Sequence, residues 1–99
     1  MKKKLPKMVN ILGHNIPIKL VAECELEPEN AAEFCPVEQS IKIMKTLPVE
    51  VQWRLLFHEI RHVHQFHSGL MQILDRQALE MDCDSFASII ISLKQQKII

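Results

Sequence analysis

Two periodicities divide this chain near residue 46. Before that point apolar residues recur at every second position. Over residues 16–27, Ile16, Ile18, Leu20, Ala22, Cys24 and Leu26 alternate with Pro17, Lys19, Val21, Glu23, Glu25 and Glu27. This is the pattern of a half-buried strand, in which Pro17 suits the start or an edge. A shorter strand is predicted over residues 8–12, and Gly13-His14-Asn15 supplies residues that tolerate the positive φ of a hairpin turn. Residues 28–36 contain two prolines and no clean period, so they read as a connection with a helical turn at the middle. A third strand is expected over residues 40–45.

Beyond residue 46 the period lengthens to that of a helix. Thr46-Leu47-Pro48 marks its start, with Thr46 or Leu47 as N-cap and Pro48 in the first turn. Trp53, Leu56, Phe57, Ile60 and Val63 then form an apolar stripe that takes Trp53 into the core, while Glu50, Arg54, Arg61 and Gln65 share a polar strip. Ser68-Gly69 ends this helix, because glycine accepts the left-handed conformation at C′. After a short turn over residues 70–74, Asp75 is the expected N-cap of a second helix reaching about residue 94. Leu79, Phe86, Ile89, Ile90 and Leu93 are expected to face the core. The predicted fold class is α+β: a small antiparallel sheet of about three strands followed by two helices, in a single domain over residues 1–99.

Composition narrows the picture. A chain of 99 residues, 47% hydrophobic and 24% charged, describes one soluble domain with room for one core. Its twelve basic and twelve acidic residues cancel, so no global field draws it to nucleic acid or to a membrane. The lysine-rich start, residues 1–7, reads as a frayed, solubilising tail. The stretch after it is broken by Asn10, Gly13, Pro17 and Lys19, too polar for a signal or membrane-spanning segment. Three cysteines without a CxxC spacing point to a reduced, cytoplasmic setting.

The candidate chemistry lies in the first helix. His58-Glu59-Ile60-Arg61-His62 sets two imidazoles one turn apart on one face with a carboxylate beside them, the layout of a zinc hydrolase. A third ligand is needed, and Glu80 and Asp84, an i, i+4 pair on the second helix, offer it: one can ligate while the other holds a ligand histidine by its other ring nitrogen. Asp82 competes with Glu80 but points to another face and reads as solvated. Cys83, turned about 60° from Glu80 and about 100° from Asp84, reads as a small packed hydrophobe. His64 faces nearly the opposite way from His62. His67, near the helix stop, is a candidate oxyanion stabiliser, and His14 has a weaker claim of the same kind.

With Glu80-x-x-x-Asp84-x-Phe86-Ala87 following His58-Glu59-x-x-His62, the chain resembles the gluzincin zinc metallopeptidases, especially the minimal and ImmA/IrrE-like ones. The resemblance covers about residues 40–93 and extends more weakly to the amino terminus. It implies Zn2+ held by His58, His62 and Glu80, Glu59 as general base for the attacking water, Asp84 as support, and a peptide or protein substrate. In such proteins the strand before the active-site helix rims the cleft and pairs with extended substrate. From sequence alone, an interior strand with no free edge is an equal alternative. Relatives use a tyrosine or further histidine to steady the tetrahedral intermediate, and this chain has no tyrosine. The second expectation is therefore a latent or inactive zinc-binding regulatory module of the same fold.

Overall fold

The computed structural model describes residues 3–99, so Met1 and Lys2 of the lysine-rich start lie outside the described residues. The fold is α+β, with a sheet preceding two long helices. The sheet has four strands, β1 (Met8–Ile11), β2 (His14–Val21), β3 (Ala32–Cys35) and β4 (Ser40–Met44), in the order β1-β2-β4-β3. It is mixed: β1 and β2 are antiparallel, β2 and β4 parallel, and β3 and β4 antiparallel. The expected three-stranded antiparallel sheet is thus corrected in number and direction.

Several local features explain the difference. The segment of residues 28–36, expected to be a connection, contains β3. Four residues are too few to display a period, and the hydrogen bonds that make them a strand come from β4. The strand expected over residues 16–27 stops at Val21, because the next residues satisfy their backbone locally. Glu25 accepts from the Ala22 N–H at 3.0 Å, and Leu26 N–H donates to the Glu23 carbonyl at 3.1 Å, closing a single 3-10 turn. Ile16 and Ile18 are buried as the alternation requires, but Leu20 is exposed and Val21 buried. Pro17 sits where β2 passes from pairing with β1 to pairing with β4, a position that tolerates its missing N–H. The hairpin turn is Leu12-Gly13, both at positive φ, so His14 and Asn15 belong to β2 rather than to the turn.

Helix α1 (Val49–Ser68) begins after Pro48, which takes the N-cap place with no side-chain cap. Buried Gln52 donates to the carbonyls of Lys45 and Leu47 at 3.2 and 3.1 Å, tying the helix to the end of β4. Gly69 closes α1 in the left-handed conformation. A 3-10 turn (Leu70–Gln72) follows, and Asp75 caps α2 (Arg76–Gln95) by accepting from Ala78 N–H at 2.8 Å.

The core joins Ile16, Ile18, Ile41 and Ile43 of the sheet to Leu56 and Val63 of α1. Trp53 packs at its margin, and its indole donates to the Lys3 carbonyl at 2.6 Å while Leu5 packs on the core. The described part of the lysine-rich start is therefore tied down rather than frayed. Helix α2 covers the other side of α1 through a seam of small residues, Cys83 and Ala87, its only fully buried positions. Ile89, expected in the core, is 59% exposed, because it lies two residues past Ala87 and so about 200° round the helix from that seam. No helix among the described residues is long and apolar enough to cross a membrane.

Candidate metal centre

The seam between α1 and α2 places Glu80 over the two histidines of α1. His58 Nε2 lies 3.2 Å from Glu80 Oε1, and His62 Nε2 lies 2.7 Å from Glu80 Oε2. His58, Glu59, His62, Glu80 and Asp84 are thus brought together. Asp84 Oδ1 is 2.8 Å from His58 Nδ1, so the carboxylate accepts from that nitrogen and fixes the ring with Nε2 facing Glu80.

His62 is held by Gln65, a member of the polar strip of this helix. Gln65 is fully buried, and its Nε2 donates to the Leu79 carbonyl at 3.0 Å and to Asp82 Oδ2 at 2.9 Å. With both amide hydrogens engaged, Oε1 faces His62 Nδ1 at 2.8 Å and fixes the proton on that nitrogen. Asp82 is partly exposed but paired: Arg61 Nε donates to it at 2.8 Å, and this bond with the Gln65 bond holds its carboxyl below the usual range. Arg61 also lies over the Phe86 ring, 5.4 Å from the centroid. A relay from Arg61 through Asp82 and Gln65 therefore orients His62. Its sequence signal was a polar residue three positions past a candidate ligand, too common to single out.

In this arrangement Glu80 lies within direct hydrogen-bonding distance of both imidazoles, and two nitrogens with one carboxylate oxygen form a donor set suited to a divalent metal. Cys83 adds to the possibilities. A ring nitrogen of each histidine and its Sγ all lie within 4.8 Å of one another, so His58, His62 and Cys83 form a cluster able to bind a metal. Without an ion the Cys83 thiol is inert: burial, with the charges of Glu80, Glu59 and Asp82, pushes it up to about 12.

Glu59 is 5% exposed, and its Oε2 lies 4.0 Å from His58 Nε2. Burial pushes its carboxyl up to about 8, Glu80 and Glu33 push the same way, and a hydrogen bond from the Phe34 backbone opposes them. Glu59, His62 and Glu80 line a cleft of about 700 Å³ whose far wall includes Glu33, Phe34 and Cys35 of β3. Arg76 and Lys42 are its cationic lining residues. The sheet edge at this cleft is β3; β4, the strand before the helix, is interior.

The other histidines do not join the site. His67 stacks on His14 with ring centroids 3.8 Å apart and has its Nε2 2.8 Å from Gln39 Oε1; neither ring lines the cleft. The expectation of His67 or His14 as oxyanion stabiliser is therefore withdrawn. His64 is half-buried, its Nδ1 without a hydrogen-bond partner among the described residues.

Compared with protein-family models, curated proteins and solved structures, the chain finds no match in any of the three.

Proposed function

We propose that the chain is a zinc-dependent endopeptidase of the minimal gluzincin type, with His58, His62 and Glu80 holding the ion and Glu59 as general base. The observation that carries this reading is the convergence of three lone-pair donors beside a buried carboxylate in a cleft. Zinc bound there would polarise the scissile carbonyl and make water acidic enough to be deprotonated near neutral pH. A dication beside Glu59 also favours its carboxylate form, counteracting the burial that raises it.

The chain's own residues do the rest. Glu59 takes the proton from the attacking water and returns it to the leaving amine, its carboxylate steadied by the Phe34 backbone N–H. Asp84 and Gln65 keep the two imidazoles in the tautomer that presents Nε2 to the ion. The outer edge of β3 offers unpaired backbone groups to an extended peptide. In place of a tyrosine, Arg76 is the cationic side chain we assign to the developing oxyanion. It lies one helical turn before Glu80 and lines the same cleft.

One set of variants tests the reading. Glu59→Gln should keep stoichiometric zinc by elemental analysis yet lose cleavage of a peptide library, whereas Glu80→Ala should lose the zinc. Arg76→Ala should keep zinc and lower kcat/KM about 10²–10³-fold. Purified wild-type chain that takes up no zinc would sink the proposal.

A further inference from the structure

Cys83 lies on the same face of α2 as Glu80, one turn further on and wholly inside the protein. The two residues flank the histidine pair from different sides. Glu80 is about half exposed and lines the cleft, whereas Cys83 is buried in the seam between the helices. A single tetrahedral ion with nitrogen bonds of roughly 2.0–2.1 Å and a sulfur bond of roughly 2.3 Å separates those donors by roughly 3.5 Å. In this chain the two ring nitrogens and Sγ lie within 4.8 Å of one another, so about an ångström of side-chain adjustment brings them onto one ion.

We infer that Cys83 is a fourth protein donor, making a two-histidine, one-carboxylate, one-thiolate centre that is closed at rest. The inference rests on the zinc-site reading above and adds regulation to it. Four protein donors complete the tetrahedral shell of a structural zinc site, whereas a hydrolytic site needs one position open. The thiol gives its proton to solvent as the sulfur–metal bond forms and takes one back when the bond breaks. The centre is therefore latent while Cys83 is bound and open to water when it lets go. The sulfur also biases the centre toward thiophilic ions over magnesium or manganese.

Cobalt(II) reports this directly, since thiolate ligation gives a sulfur-to-cobalt charge-transfer band in the near ultraviolet. The measurement uses the full chain carrying Cys24→Ser and Cys35→Ser, because both of those cysteines line the cleft. The expected result is the band at one cobalt per chain, its loss on adding Cys83→Ala with cobalt still bound, and faster peptide cleavage by the zinc form of that variant. Stoichiometric cobalt without the band in the Cys83-containing chain overturns the inference while leaving the two-histidine, one-carboxylate site standing. That measurement needs no Cys83 variant to fold. A band that survives Cys83→Ala, or cleavage by that variant no faster than its parent, also overturns it. Failure of every form to bind cobalt or zinc overturns the inference and the proposed function together.

Discussion

At the residue scale the centre is a set of donor atoms held in place by hydrogen-bond acceptors on their neighbours. His58 and His62 each have Nδ1 2.8 Å from an acceptor, Asp84 Oδ1 and Gln65 Oε1 respectively. Gln65→Ala removes the acceptor of His62 and should weaken zinc binding about 10–100-fold in a competition titration, with the helical content unchanged. Glu59 gives a pH signature. Its folded carboxyl sits at about 8 against an ordinary 4.5, so the folded metal-free chain holds this proton more tightly than the unfolded chain. The associated stability is fully present below the ordinary value and is lost as pH rises through the folded one. Denaturation of the metal-free chain should show a loss of the order of a few kcal/mol between about pH 5 and about pH 9. Glu59→Gln should flatten that dependence, and a parallel decline in both proteins would show that another group is responsible.

At the element scale, register and helix phase decide what reaches the site. The small seam of Cys83 and Ala87 sets the phase of α2 so that Glu80 overhangs α1, and the price is an exposed Ile89. The alternating and helical patterns made two of the four strands and both helices legible close to their bounds, as did the Asp75 cap and the Gly69 stop. A strand as short as β3, whose partner is supplied by tertiary pairing, was not legible. The β1–β2 turn carries a correctable local strain. Leu12 adopts φ 52° and is 60% exposed, at the first central position of a turn that favours asparagine. Leu12→Asn should raise the unfolding free energy by about 1 kcal/mol in chemical denaturation, since a left-handed leucine costs roughly that much.

At the scale of the whole molecule, the metal and the fold are coupled. The sheet and α1 share one core, but α2 is held mainly to α1, through a narrow seam that carries Glu80, Cys83 and Asp84. An ion bound there bridges the two helices and neutralises converging carboxylates. At a free zinc concentration about 100 times Kd, binding adds about 2.7 kcal/mol to stability. For a chain of this size that corresponds to a Tm change of roughly 10–20 °C. Chelation should lower Tm by that order and readdition of zinc should restore it; an unchanged melt after chelation would count against a bound metal.

The sequence by itself determined the α+β order of elements, the pairing of His58 with His62 on one helical face, and the position of Glu59 beside them. These follow from backbone periodicity, which any local window of the chain carries. Tertiary structure decided the mixed sheet, the edge position of β3, the burial of Gln65 and the proximity of Cys83 to the histidines. Each of those depends on where two segments distant in sequence come to lie. Such distances are fixed by side-chain volume at the contact and by hydrogen bonds supplied from another element, neither of which has a period along the chain.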